Sequence, residues 1–186
     1  MDIPVQHISD TVLRRMNRHG GKELIIEAIR KLREKVPNIT LRTTAMVGFP
    51  GETEEDFVEL CEFVKETRFD RFGAFTYSPE EDTEAALKPD QIDEQLKQDR
   101  YDILMQTQLT VSEELNSRKI GTEITVITDG YDTVAEIYFG RSEADAPDVD
   151  GKIYFTAPKG KYTFGDFVKV KITEALDYDL IGEEIV

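Results

Sequence analysis

The sequence predicts an α/β domain, the back half of a partial (β/α) barrel, followed by a small all-β barrel of OB-like size. Two observations support this fold class. Up to about residue 118, helical and strand patterns alternate, as they do in a parallel sheet with crossover helices. From residue 119 onward, short β-rich runs are separated by Asp-Gly, Pro and Gly. The predicted domains are therefore 1–118 and 119–186.

The first domain begins with an extended segment over 1–5 and a helix that Ser9 caps and that ends near Asn17. The elements predicted next are a helix over 20–36 with an apolar stripe at Leu24, Ile25, Ala28, Ile29 and Leu32, a strand over 39–47, a helix over 53–67, a strand over 70–77, an acidic loop over 78–89 and a long helix over 91–118. The long helix has an imperfect stripe and looks like the connection between domains. The apolar residues of that stripe are Ile92, Leu96, Ile103, Leu104, Leu109 and Val111. Only about three strands are visible, whereas a closed eight-stranded barrel takes roughly 250 residues. We therefore expect an open sheet whose first strands precede this sequence.

Five short strands are predicted in the second domain. They cover 124–128, 134–139, 152–155, 167–173 and 180–186.

The net charge of −15 argues against a general nucleic-acid-binding surface, because such binding neutralises phosphates. It is compatible with a basic protein partner, although charge that only maintains solubility is an alternative of comparable weight. No segment has the length and composition of a membrane span or a secretory signal, so we expect a cytoplasmic protein.

The chain has a single cysteine, Cys61, so neither an internal disulfide nor a cysteine-ligated cluster is expected. Cys61 shares helical spacing with Phe57, Leu60 and Val64, which predicts a position facing the core.

The segment 42–57 carries the most information about function. Ala45-Met46-Val47 leads into a turn built from Gly48, Pro50 and Gly51, and Thr53 then caps a helix with Asp56 in the capping-box position. Such a turn presents backbone N–H groups to a ligand. An ordinary tight turn between strand and helix has about equal weight on this segment alone.

A second segment, Asp2-Ile-Pro-Val-Gln-His7, decides between these interpretations. Together the two segments resemble the radical S-adenosylmethionine (SAM) methylthiotransferases. The Gln-His pair is most similar to the branch that modifies an aspartate of a ribosomal protein. The branch that modifies tRNA adenosine usually has Ser-Gly at positions 7 and 8.

The resemblance implies a set of cofactor-binding residues. Gln6 and Arg18 match positions beside SAM, where an arginine can bind the methionyl carboxylate with two hydrogen bonds. Thr44 stands where relatives often carry an aspartate for the ribose hydroxyls, and the backbone of Met46, Val47 and Gly48 matches the strand beside adenine. The catalytic residues stay unknown.

Substrate contacts are expected from two regions. Gln6 and His7, the Gly48 turn and Tyr77 all follow strand ends, where α/β barrels place their active sites. His7 and Tyr77 are therefore candidates for substrate binding, although a structural histidine is the more common case. The loop after Tyr77 departs from the family pattern with Asp82 for a glycine and Glu84 for a proline.

Residues 140–151 resemble the TRAM domain of the ribosomal-protein branch, a substrate-binding module. Its candidate substrate residues are Arg141, Asp145, Asp148 and Asp150. Residues 119–186 hold 7 Lys and Arg against 14 Asp and Glu, a net charge of 7 − 14 = −7, which suits a basic ribosomal protein better than tRNA. A merely solvated loop remains the alternative.

The family also binds two 4Fe-4S clusters, one through a Cys-x-x-x-Cys-x-x-Cys loop and one through an N-terminal domain. Neither cysteine set occurs here. We therefore expect a C-terminal part of a methylthiotransferase that is inactive alone and whose partners are a small-subunit ribosomal protein and the missing part of its own polypeptide. The alternatives are a tRNA-adenosine methylthiotransferase fragment and a non-catalytic binding protein that uses only the barrel.

Overall fold

The computed structural model describes residues 1–185, which form two compact units. Unit 1 covers Met1–Val111, and unit 2 begins at Ser112. The elements are α1 (Asp10–Arg15), α2 (Gly21–Lys35), β1 (Arg42–Val47), α3 (Glu54–Thr67), β2 (Arg71–Thr76), α4 (Glu94–Ser117), β3 (Glu123–Asp132), β4 (Ile137–Arg141), β5 (Ile153–Thr156), β6 (Phe167–Ala175) and β7 (Leu180–Glu184). The boundary lies inside α4, seven residues before the predicted end of the first domain.

The sheet of unit 1 is short and parallel. β1 pairs in parallel with β2, and the extended segment at the start of the chain forms parallel bridges to β1 through Asp2 and Gln6. This arrangement is the predicted order of an extended segment and two strands separated by helices. It brings three carboxyl-terminal strand ends to one edge.

Helices α2 and α3 cover one face of this sheet. The predicted capping box of α3 is present, because Thr53 accepts from the Asp56 amide while Asp56 accepts from the Thr53 amide. The apolar stripe of α2 was predicted too wide. Ile29 is buried, and Ile25 and Leu32 pack against the core, but Leu24 and Ala28 are exposed. The core therefore takes a narrower face of this helix than the sequence pattern suggests.

Unit 2 contains the predicted five-stranded closed barrel, with strand order β3-β4-β5-β7-β6. β5 and β7 pair in parallel, and the other neighbours are antiparallel. The second strand begins at Ile137, so the predicted start at Val134 was wrong. Val134 is 93% exposed in the turn between β3 and β4. The predicted last strand ends at Val186, which lies outside the described residues.

The barrel interior is apolar, with stacked Tyr138 and Phe155 rings whose centroids lie 5.5 Å apart. The buried residues of this core are Val126, Tyr138, Ile153, Phe155, Val168, Val170, Ile172 and Leu180. In residues 1–185, no helix has the length and hydrophobicity that crossing a membrane would require.

Candidate functional site

The turn that follows β1 is held from several sides. Gly48 has a φ of +74°, a conformation that favours glycine. A Cβ atom added to Gly48 would lie only 2.3 Å from Cγ of Lys97, so the side chain from α4 passes directly over this glycine. The Pro50 carbonyl accepts from Nε of Arg15 at 2.7 Å, and the Gly51 amide donates to the Asp90 carbonyl at 2.9 Å. The turn is therefore fixed by three other parts of unit 1.

Gln6 lies beside this turn, at the end of the first extended segment. Its amide donates to the Thr44 carbonyl at 2.9 Å, and its carbonyl accepts from the Met46 amide at 2.7 Å. Its φ is +67°, so the chain bends sharply there. Arg18 donates from a terminal nitrogen to the Pro4 carbonyl at 2.7 Å. The predicted cofactor residues Gln6, Thr44 and Met46 are thus brought together, and Arg18 contacts the same extended segment.

The two faces of β1 have different environments. Thr43, Ala45 and Val47 are fully buried, and the last two belong to the core under α2 and α3. Thr44 and Met46 are half-buried on the opposite face. The side chain of Val47 therefore belongs to the core, and only its backbone is available, which is the contact that the resemblance predicts.

Two residues of β2 complete this open face and were missed by the sequence analysis. Gly73 pairs with Thr44, and a Cβ added to Gly73 would meet no atom within 4 Å. Phe75 pairs with Met46 and is 41% exposed. The register of β1 and β2 places Thr44, Met46, Gly73 and Phe75 on one face, with free space at Gly73.

His7 occupies a buried polar network rather than an open position. The ring is fully buried, and Nδ1 accepts from the Ser9 amide at 3.0 Å. Because Nδ1 is an acceptor, the ring proton lies on Nε2, which faces Oε2 of Glu52 at 3.6 Å. No surface of the imidazole is exposed to a ligand in this structure, and the assignment of His7 to substrate binding stays a prediction.

Glu52 is the centre of that network and was also missed. Its fully buried carboxylate accepts from the Gly48 amide at 2.8 Å and from Arg100 at 2.8 Å. Arg100 is 5% exposed and also contacts Glu54 at 3.3 Å. Glu52 thus ties the glycine turn to α4.

A second polar link joins α3 to the segment after His7. Ser9 donates its hydroxyl to Asp56, the residue that completes the capping box. Burial opposes ionisation of Asp56, but the hydrogen bonds from Ser9 and Thr53 outweigh burial and hold the pKa of Asp56 below its ordinary value.

Tyr77 lies at the end of β2, as predicted, but most of its ring is buried. It packs edge-to-face against Phe49, with 5.1 Å between ring centroids. The ammonium of Lys97 lies over the ring, 5.2 Å from its centroid. The Tyr77 hydroxyl is buried and has no hydrogen-bond partner within residues 1–185. In the loop that follows, Asp82 has a φ of +63°, a conformation that aspartate adopts more readily than most residues other than glycine.

The predicted barrel residues lie around one cavity of about 260 Å³ in unit 2. Its lining includes Arg141, Asp148 and Asp150. Arg141 pairs with Asp129 at 2.7 Å, and Asp150 accepts from the Ala146 amide at 2.7 Å. Asp145 accepts hydrogen bonds from the amide and the hydroxyl of Ser142, so it shapes the adjoining loop.

The cavity also has aromatic walls that the sequence analysis did not identify. Phe139 and the 77% exposed Phe164 line it, and the Lys152 ammonium lies 4.7 Å from the Phe139 ring centroid.

Cys61 packs against the core of unit 1, as its helical spacing predicted. Burial raises the pKa of this thiol to about 11. In the part of the chain that the structure describes, no group of three or more His, Cys, Asp or Glu side chains is arranged to hold a metal ion.

Comparison with known proteins identifies both parts of the chain. The model of the radical SAM superfamily matches residues 1–64, and the TRAM domain model matches residues 120–185. The protein named ribosomal protein uS12 methylthiotransferase RimO from Geobacter sulfurreducens is 52% identical over 186 residues, which is 100% of this chain and 41% of that protein. The proteins of the same name from Geotalea uraniireducens and Clostridium botulinum are 51% and 47% identical over 98% of this chain, and these matches cover 41% and 40% of their lengths.

The resemblance to the radical SAM methylthiotransferases, and to their ribosomal-protein branch in particular, is therefore confirmed. The chain spans about two fifths of the length of the curated relatives that it matches.

Proposed function

We propose that this chain is part of an enzyme that attaches a methylthio group to the β-carbon of an aspartate in a small-subunit ribosomal protein, the counterpart of uS12. The observation that carries the proposal is identity of about one half over the whole chain to proteins named for that activity. A ribosomal substrate also implies that the reaction takes place in the cytoplasm.

The open face of unit 1 is the proposed SAM site. Thr44 and Met46 stand beside the free space at Gly73, and the Gln6 backbone pairs with the same strand. We assign hydrogen bonding of the ribose to Thr44, adenine contact to the backbone of Met46–Gly48, and carboxylate binding to Arg18. These groups fit a ligand with polar edges and a flat ring. With a reduced iron–sulfur cluster, SAM supplies the one-electron chemistry that removes a hydrogen atom from an unreactive carbon.

The residues of this chain do not fit the cluster itself. A cluster is held by several thiolates, whereas the single thiol here is packed in the core with a raised pKa. We propose that the ligands of two 4Fe-4S clusters come from the part of the relatives' length that this chain does not match. The chain alone is then expected to bind ligands without turnover.

The acidic barrel is the proposed contact for the protein substrate. Residues 119–186 carry a net charge of −7, and the cavity at Arg141, Asp148 and Asp150 combines carboxylates with an exposed aromatic ring. Such a surface complements a basic ribosomal protein and repels the phosphates of tRNA. The tRNA-adenosine activity is therefore the less favoured candidate.

The test uses the complete reading frame that contains this chain. The purified protein, reconstituted with iron and sulfide under anaerobic conditions, is given SAM, a reductant, uS12 and tRNA together, and both products are analysed by mass spectrometry. We expect one methylthio group on an aspartate of uS12, and no modification when that aspartate is replaced by asparagine. Modified tRNA with unmodified uS12 would establish the alternative activity. Binding of uS12 without modification of either substrate would support the third alternative, a non-catalytic binding protein.

A further inference from the structure

Two buried polar side chains, Lys97 of α4 and Tyr77, are in contact at the carboxyl ends of β1 and β2. Lys97 is 1% exposed and Tyr77 is 6% exposed, and the ammonium lies 5.2 Å from the centre of the tyrosine ring. The Tyr77 hydroxyl makes no hydrogen bond to any of the residues 1–185. Buried polar groups nearly always have partners, so an unpaired one calls for a specific explanation.

The ion pair of Lys97 shows that a carboxylate can reach the buried ammonium. Its ammonium is paired at 2.6 Å with Glu94, whose own side chain is 78% exposed. A carboxylate on a solvent-exposed side chain therefore reaches the buried ammonium from outside. Because the Glu94 side chain is largely exposed, and ion pairs to exposed side chains contribute little stability, a carboxylate from a ligand can replace it at little cost.

The position of the ammonium is fixed by the proposed cofactor site. The lysine stem passes over Gly48, where an added Cβ would lie 2.3 Å from Cγ of Lys97. The ammonium and the hydroxyl are both hydrogen-bond donors, and the two oxygens of a carboxylate can each accept from one of them. The site thus adjoins the backbone assigned to adenine.

We propose that Lys97 and Tyr77 form a binding site for a carboxylate, and that Glu94 occupies the ammonium until the carboxylate of a ligand displaces it. The inference rests on the proposed function, in which two ligands carry this group. One is the target aspartate. The other is the methionyl end of SAM, whose carboxylate would then bind Lys97 and Tyr77 rather than Arg18, to which the proposed function assigns it. Both sources share the same chemistry.

The experiment measures ligand binding to the chain of 186 residues by calorimetry, in two arms. The first arm compares SAM with decarboxylated SAM, which keeps the adenosine, the sulfonium and the amino group and lacks only the carboxylate. The second arm compares a basic peptide that contains one aspartate with the same peptide that contains asparagine. If the wild-type chain binds the carboxylate-bearing member of one pair more tightly than its analogue, that member is the ligand of the site.

Four variants then test the site. Lys97→Met should weaken binding of the preferred ligand by about tenfold to a hundredfold, because a charge-assisted hydrogen bond is lost. Tyr77→Phe should weaken it by roughly threefold to tenfold. Glu94→Gln should strengthen it, because the competing carboxylate is removed. Lys22→Met, which breaks the surface pair with Glu59, is the matched control and should change nothing.

The Glu94 result separates a ligand site from a structural ion pair. A structural pair would give weaker or unchanged binding in Glu94→Gln, and that result would overturn the inference. Circular dichroism shows whether Lys97→Met folds. If it does not, Lys97→Arg takes its place as the test variant. It keeps the positive charge and should retain part of the wild-type affinity.

Two further outcomes would also overturn the inference. One is the absence of carboxylate preference in both arms for wild-type chain. The other is a preference for SAM that persists in folded Lys97→Met, which would reject this site while the proposed cofactor site stands.

Discussion

Replacing Glu52 with alanine should destabilise unit 1 by about 3–5 kcal/mol, the cost of breaking a buried ion pair from one side. The Glu52 carboxylate is fully buried and lies 2.8 Å from Arg100, which is 5% exposed. Its other oxygen accepts from the Gly48 amide at 2.8 Å. Without the Glu52 carboxylate, the guanidinium keeps the backbone carbonyl of residue 52 at 3.2 Å and the exposed Glu54 at 3.3 Å, and the Gly48 amide loses its acceptor. Both groups would stay buried and incompletely paired.

The measurement is urea unfolding followed by the helical signal in far-UV circular dichroism. That signal reports mainly unit 1, because α1, α2, α3 and most of α4 lie within it. The control is Glu54→Ala, which removes an exposed partner of the same arginine and should cost less than about 1 kcal/mol. A double variant, Glu52→Leu with Arg100→Met, should recover much of the loss, since no charge stays buried. The reasoning fails if Glu52→Ala lies within about 1 kcal/mol of wild type or matches Glu54→Ala.

Three other predictions concern neighbouring positions. Gly48→Ala should lower the unfolding free energy by roughly 1–3 kcal/mol more than Gly121→Ala. Both glycines have a positive φ, but only a Cβ at Gly48 would meet another side chain, that of Lys97. Calorimetric unfolding of both variants measures the difference. Since the pKa of Asp56 is lowered in the folded state, its contribution to stability is present above about pH 4 and is lost as the pH falls through the folded pKa. Urea midpoints of wild type should therefore fall more steeply in acid than those of Asp56→Asn, and parallel curves would contradict this. Because the pKa of Cys61 is raised to about 11, iodoacetamide at neutral pH should alkylate the native chain far more slowly than the urea-unfolded chain, as mass spectrometry would show.

Local sequence signals predicted most of the fold. The capping box at Thr53 and Asp56 follows from residue types three positions apart, and the five strands of unit 2 follow from short β-rich runs between turns. The errors occur where burial depends on distant parts of the chain. Leu24 and Val134 fit apolar patterns but are 56% and 93% exposed. Periodicity states which residues share a face and does not state how wide the buried part of that face is.

The site was predictable only in part, for the same reason. Gln6 and Gly48 lie at the ends of neighbouring parallel segments, which a parallel sheet brings together, and Thr44 lies within β1. Two of the residues that hold the Gly48 turn, Lys97 directly and Arg100 through Glu52, come from α4, about fifty residues later in the chain by the numbering. Neither Lys97 nor Arg100 stands in a recognisable motif. Long-range pairing of this kind leaves no local pattern in a single sequence.

Helix α4 shows why such long-range pairs are missed when a sequence is searched only for apolar periodicity. Its fully or nearly fully buried positions within unit 1 are Lys97, Arg100, Leu104, Gln108 and Val111. Their spacing of three and four residues is that of one helix face, so the buried stripe is regular. Three of its five members are polar, which is why the apolar pattern looked imperfect and included the exposed Ile103.

Two of those polar members, Arg100 and Gln108, pair a group that an apolar side chain would leave unpaired, and the third, Lys97, contacts the Gly48 turn and a tyrosine ring. Arg100 neutralises Glu52, Gln108 donates to the Phe69 carbonyl at 3.1 Å, and Lys97 extends over Gly48 to the tyrosine at the end of β2. Burying such groups costs free energy unless they are paired, so their place on a core-facing stripe indicates a requirement beyond packing. That requirement is the fixed geometry of the strand ends, because two of the three polar side chains act on the turn where the cofactor site is proposed.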